Sequence, residues 1–223
     1  MQILDLIFPK KCINCGRWGG YLCASCEIGL WEEQQICPIC RRLSRYGLPH
    51  SYCHASYSLD GLTCLWAYEG AARKIVTKAK YAFYFDLLSE LFVRAGAILD
   101  RPEYTYLQRF LAEKPVIVPV PLHPNRLKSR GFNQAEVIAK LVAKSWGLEM
   151  KKLLIKTVDT AHQVGKIRAD RLENMTGAFT SVGRADKVLL VDDVWTTGAT
   201  LSECAKTLKK SGVKKVWGLV LAR

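Results

Sequence analysis

Val188-Leu-Leu-Val-Asp192-Asp193-Val-Trp195-Thr196-Thr197-Gly198-Ala199-Thr200 is the stretch that decides the fold of this chain. Its four apolar, β-favouring residues read as a strand buried on both faces, as in a parallel sheet. Two carboxylates are then expected to end it, because unpaired acids are costly inside such a sheet. The turn that follows carries three threonine hydroxyls around Gly198, whose tolerance of positive φ lets backbone approach a ligand closely. A helical pattern begins at once with Leu201, Cys204, Ala205 and Leu208. The free N–H groups of that helix start suit a phosphate. Two acids beside such a cradle would repel a bare phosphate, so their expected partners are sugar hydroxyls or Mg²⁺. Phosphate, diol and metal together describe a phosphorylated ribose.

The same stretch resembles the 5-phosphoribosyl 1-diphosphate (PRPP) loop of type I phosphoribosyltransferases. The resemblance implies that Asp192 and Asp193 meet the ribose 2′ and 3′ hydroxyls, and that Thr196, Thr197, Gly198, Ala199 and Thr200 grip the 5′-phosphate. Trp195 is either a cover over the sugar or a packed loop residue.

A length of 223 residues allows one good core and a small satellite module. The net charge of +13 is uneven: residues 1–60 hold six Lys/Arg and five Asp/Glu (+1), and residues 61–223 hold the other 27 and 15 (+12). The larger part therefore carries a field that attracts phosphates, on a small substrate or on nucleic acid. No apolar run reaches the ~20 residues of a membrane span, and Met1 to Phe8 lacks the basic start and cleavage site of a signal peptide, so a cytoplasmic protein is expected.

The Cys-x-x-Cys spacing, in a chain without an export signal, favours thiolates that hold metal over a disulfide scaffold. Cys12, Cys15, Cys23 and Cys26 form one set, and Cys37, Cys40, His50 and Cys53 a second. Zn²⁺ suits both, because thiolate and imidazole are its preferred ligands and a closed four-ligand shell is the structural kind. In the second set His54 competes with His50, which leaves one zinc or two. Trp18, Tyr21, Trp31 and the basic Arg41-Arg42-x-x-Arg45 either meet nucleic acid or only pack the module.

The metal-type spacing ends near Asp60, which predicts a zinc ribbon over residues 1–60 and a second domain over 61–223. A basic helix is expected from Tyr68 to Ala82, with Lys80 as a candidate ligand contact. Asp86 should cap an amphipathic helix with Leu87, Leu88, Leu91, Phe92, Ala95 and Ile98 inward. Residues 100–114 are polar and aromatic and suggest no chemistry. Val116 to Pro121 reads as a second buried strand. The loop after it holds Arg126, Lys128, Arg130 and Gly131 before an Asn133-x-x-Glu136 capping pattern, a second anion site suited to a diphosphate. The next helix should stop at Gly147. Leu153 to Ile155 reads as a strand, and Val158 to Thr176 as a flap with Gln163, Arg168, Arg171 and Asn174 as contacts. Val216 to Leu221 reads as a last buried strand, and Cys204 as core. Alternating strands and helices predict a parallel α/β sheet with both anion loops at strand C-terminal ends.

The four knuckles, the Pro-x-Pro strand with Arg126 and Arg130-Gly-Phe-Asn133-Gln, the flap and the PRPP-type loop, in this order, are similar to the ComF family. The resemblance implies a type I phosphoribosyltransferase-like parallel sheet flanked by helices, an N-terminal double zinc ribbon, PRPP binding, and a role in uptake of single-stranded DNA for transformation. His50 in place of a cysteine and Trp195 in place of a smaller aliphatic residue depart from the commoner pattern. On this reading the protein is a phosphoribosyltransferase using PRPP and Mg²⁺, with Asp192, Asp193, Arg126 and Arg130 stabilising the reacting sugar and its leaving diphosphate. The other reading is a non-catalytic protein that handles single-stranded DNA alongside the uptake machinery, with the phosphate loop as sensor or anchor. No base-binding motif names an acceptor.

Overall fold

The computed structural model describes residues 10–81, 86–159 and 176–223. Four largely apolar strands pair as one parallel sheet. The strands are β1 (Gly61–Trp66), β2 (Val116–Pro119), β5 (Lys187–Val194) and β6 (Lys215–Ala222), in the order β1-β6-β5-β2. A sheet with near-continuous apolar strands must be covered on both faces. Leu189 and Val191 of β5, with Trp217, Leu219 and Leu221 of β6, enter one core. Val188 and Leu190, with Val216 and Val220, enter the other.

The first face is covered by α2 (Gly70–Lys78), α3 (Asp86–Leu99), α4 (Thr105–Ala112) and α6 (Gln134–Trp146). In α3 the predicted apolar stripe is the buried one, Leu87, Leu88, Leu91, Phe92, Ala95 and Ile98. α6 starts where Asn133 Oδ1 accepts the Ala135 N–H (3.1 Å) and ends at Gly147 with φ 61°. Glu136 does not complete the capping box; it pairs with Lys140 (3.0 Å) and Lys152 (2.8 Å). The second face is covered by α7 (Ala199–Lys210) and by the antiparallel hairpin of β3 (Leu154–Lys156) and β4 (Phe179–Ser181).

Residues 100–114 form a 3₁₀ turn (Pro102–Tyr104) and α4, which buries Leu107 and Phe110. Two expectations are corrected. The segment read as an anion loop is a short helix, α5 (Pro124–Arg130), with proline at its first position, where no N–H is needed. The acids do not stop β5. The strand runs through them, with Asp192 opposite Val220 and Val194 opposite Ala222, because both side chains lie at the half-buried end of the sheet.

Both sheet edges are closed. On β1, Glu32 bridges Trp66 antiparallel, and the side chain of Gln35 accepts from the Cys64 N–H (3.0 Å) and donates to the Cys64 carbonyl (2.7 Å). On β2, Ile117 donates to Glu149 O (2.8 Å) and accepts from the Lys151 N–H (2.9 Å). Open edges invite pairing with other chains, and here residues N-terminal to the sheet remove one of them. Arg94 of α3 ties down the one-turn helix α1 (Ala24–Glu27), pairing with Glu27 (3.3 Å) and donating to Leu22 O (3.1 Å). Among the described residues no helix is long and apolar enough to cross a membrane.

Candidate functional site

At the C-terminal end of β5, Asp192 and Asp193 stand side by side, and the Asp193 N–H donates to Asp192 Oδ1 (2.9 Å). Burial pushes both carboxyls above their usual range. The Asp193 charge pushes Asp192 further, whereas Lys80 and Arg130 pull Asp193 back. Such a pair gains from a cation or from hydroxyl donors.

The turn beyond is shaped by packing. Trp195 is buried, its N–H donates to Ala222 O (2.9 Å), and its indole lies beneath Gly198. Of the two roles open to Trp195, the structure shows packing. Gly198 has φ 73°, and a Cβ there would fall 2.2 Å from the indole, so only glycine fits. Thr196 is exposed, Thr197 is buried with Oγ1 accepting from the Ala199 N–H (3.4 Å), and Thr200 lies in the first turn of α7. Cys204 is fully buried in the same helix.

Next to β5, the end of β2 carries α5 with Arg126 and Arg130. Arg130 donates to Gln134 Oε1 (2.7 Å), and burial lowers its pKa while Asp193 raises it. Gln134 is itself buried, and its Nε2 has no partner among the described residues. Gly131 ends α5 at φ 81°. The Asn133 amide is engaged at both ends, on Val120 O (2.9 Å) and the Ala135 N–H.

Two groups that the sequence did not single out join this cleft. Lys156 ends β3, lies over the Phe179 ring at 5.5 Å, and has its pKa lowered by burial and by Arg126 against the pull of Asp192. His123 Nδ1 meets Asp159 at 3.2 Å, and Asn125 donates to the same carboxylate (3.2 Å). Periodicity could not have found these, because they meet only through tertiary contacts. Gln163, Arg168, Arg171 and Asn174 lie outside the described residues.

Both metal sets close. In each of Cys12/Cys15/Cys23/Cys26 and Cys37/Cys40/His50/Cys53, the four ligand atoms lie within 4.8 Å of one another. Tetrahedral Zn–S bonds of about 2.3 Å place sulfurs about 3.8 Å apart, and Cys15 Sγ lies 3.6 Å from Cys23 Sγ. His50 Nδ1 lies 3.3 Å from Cys40 Sγ and 3.8 Å from Cys53 Sγ, while its Nε2 meets Leu43 O at 2.9 Å. A proton on Nε2 leaves the Nδ1 lone pair for metal, so His50 rather than His54 completes the set. Burial alone would raise the Cys12 and Cys37 thiols. Backbone N–H groups outweigh it, from Cys23, Cys15 and Asn14 at Cys12 and from Cys40, His50 and Ile39 at Cys37, and bring each down to about 6, while Cys26 and Cys53 in the same crowded sets are pushed up to about 11.

Residues 3–56 match the double zinc ribbon domain family. Competence protein F of Haemophilus influenzae is 39% identical over 114 residues, 48% of this chain and 50% of that protein. Competence protein ComFC of Streptococcus pneumoniae is 37% identical over 108 residues, 48% of this chain and 47% of that protein. This chain thus matches about half the length of either relative. A DNA utilization protein of Escherichia coli O157:H7 is 28% identical over 245 residues, covering 96% of this chain and 98% of that protein.

Proposed function

We propose that the chain is a ComF-family protein that binds PRPP with Mg²⁺ at the Asp192/Asp193 cleft and transfers the phosphoribosyl group with release of diphosphate, in the service of DNA uptake. The observation that carries this reading is the crowded acid pair beside the Gly198 turn. A phosphate site alone has no use for two carboxylates whose burial opposes their charge, whereas a ribose diol supplies hydroxyl donors to both. The division of labour falls along residues 1–60, a ribbon with structural zinc, and residues 61–223, which hold the cleft.

The residues fit the groups proposed for them. Asp192 and Asp193 would hold the diol. Thr196 to Thr200 and the free N–H groups of α7 would hold the 5′-phosphate. Arg126, Arg130 and Gly131 would face the diphosphate, with the orphaned Gln134 Nε2 as a further donor. Lys156 and Lys80 add charge on either side of the acids. Mg²⁺, when bound, supplies a Lewis acid that offsets charge building on the leaving diphosphate. The cations hold the leaving group in line, and the fixed donors need no reorganisation as charge develops.

The test is incubation of the zinc-loaded protein with PRPP, Mg²⁺ and pooled cell metabolites, reading diphosphate by mass spectrometry. Release by wild type but not by Asp192→Asn/Asp193→Asn supports transfer. No release from either removes it and leaves the second reading, a non-catalytic handler of single-stranded DNA. That reading is favoured by Trp18, Trp31 and Tyr52, each more than 60% exposed on a ribbon that also carries Arg41, Arg42 and Arg45. It also accords with the names of the relatives.

A further inference from the structure

The two zinc knuckles differ at one telling position. In each, the N–H of the residue after the second cysteine donates to the carbonyl of the first: Gly16 to Cys12 (2.8 Å) and Arg41 to Cys37 (2.9 Å). The turn requires left-handed backbone, with φ 79° at Gly16 and φ 64° at Arg41. Glycine adopts it freely, and arginine does so against a steric cost. Tyr57, also in the ribbon, has φ 62°. Among the described residues Lys114 is the only other non-glycine with positive φ.

Arg41 and Tyr57 border the same cavity. It has a volume of about 280 Å³ and lies between the second knuckle and the first two turns of α7, with Ser56, Ser202, Glu203 and Lys206 on its wall. Strained backbone that persists at two residues facing one cavity marks a place where side chains are kept for use. The Glu203 carboxylate is already satisfied by the Gly177 N–H (2.8 Å) and Lys206 (3.7 Å). Arg41 makes no ion pair among the described residues, and Tyr57 is 48% exposed. The groove thus offers one uncompensated guanidinium, one open aromatic face and three serine hydroxyls, those of Ser56, Ser58 and Ser202.

We propose that this groove is a nucleotide subsite, with a phosphate on Arg41, the base stacked on Tyr57, and Ser56 and Ser202 within reach of the sugar. Guanidinium recognises phosphate through paired N–H donors, and an aromatic face stacks any base. The volume suits a single base or sugar-phosphate unit. The subsite shares α7 with the Gly198 turn but stands whether or not that turn takes PRPP. A free mononucleotide and one unit of a single strand share this chemistry.

The strain itself supplies the test, because glycine at either position relieves the backbone while deleting the side chain. Zinc-loaded full-length wild type, Arg41→Gly, Tyr57→Gly and, as a charge-matched control in the other knuckle, Arg17→Ala are titrated calorimetrically with adenosine 5′-monophosphate and with a single-stranded thymidine pentanucleotide. Both glycine variants are expected to keep their zinc content and urea midpoint and to bind about tenfold or more weakly, with Arg17→Ala close to wild type. Equal loss for both probes assigns a free nucleotide, and loss for the pentanucleotide alone assigns a strand unit. Wild-type affinity in Arg41→Gly, equal weakening by Arg17→Ala, or binding of neither probe would each overturn the proposal. Titration of Arg41→Gly with PRPP keeps the two readings apart, since its PRPP affinity should be that of wild type.

Discussion

The Gln35 side chain exchanges two hydrogen bonds with the backbone of Cys64, accepting its N–H at 3.0 Å and donating to its carbonyl at 2.7 Å. Gln35 thereby acts as a short length of strand along β1, where a second backbone would otherwise pair. It is 6% exposed, and Cys64 is fully buried, so water cannot replace either bond. The ribbon is thus built into the sheet's edge.

Gln35→Ala is therefore expected to destabilise the whole chain by about 2–4 kcal/mol, the cost of leaving two buried backbone groups unpaired. Urea unfolding followed by tryptophan fluorescence measures it. A loss below roughly 0.5 kcal/mol, the range of ordinary surface substitutions, would show that the edge is held by other contacts.

Asp192 predicts a pH dependence of stability with a definite sign. Burial and Asp193 raise its folded-state pKa. A group so raised contributes stability that is full below its unfolded value, about 3.9, and is lost as pH rises through the folded value. At pH 7, well above the unfolded value, the raised Asp192 pKa therefore works against the fold. Asp192→Asn should melt higher than wild type at pH 7, by at least roughly 2 °C, the shift that about 1 kcal/mol gives a chain of this size. The gain should vanish near pH 4. A lower melting temperature at pH 7 would mean that the neighbouring cations already stabilise the ionised pair.

The histidine ligand gives a stoichiometric prediction. His50→Ala should release one zinc of two per chain, because three thiolates without a fourth ligand leave the second shell open, while His54→Ala should keep both. Elemental analysis by mass spectrometry after gel filtration decides it. Loss of zinc from His54→Ala but not from His50→Ala would reverse the assignment.

The parts of the fold legible in the sequence are those where one physical demand dominates. β2, β5 and β6 are apolar runs that only a doubly covered sheet can bury, and α3 carries an unbroken apolar stripe. The cysteine sets are legible because tetrahedral ligation fixes their spacing. α4 is not, since an eight-residue helix that buries Leu107 and Phe110 presents too short a pattern. The acids mislead in the opposite way. Their charge argues for the end of a strand, yet at the half-buried rim of a sheet backbone pairing continues beneath the acid side chains. Lys156, His123 and Asp159 enter the site only through tertiary contacts. Nothing local distinguishes Arg41 from its exposed neighbour Arg42 until the backbone of the knuckle is known.

The Asp192/Asp193 cleft as the proposed seat of an activated pentose is tested most directly by calorimetric titration of PRPP, with Mg²⁺ present, into wild type and Asp192→Asn/Asp193→Asn. Saturable binding by wild type at one site per chain, weakened at least about a hundredfold in the double variant by the loss of two charged acceptors, is the predicted result. Equal affinity in the two proteins, or no binding to wild type, would contradict it.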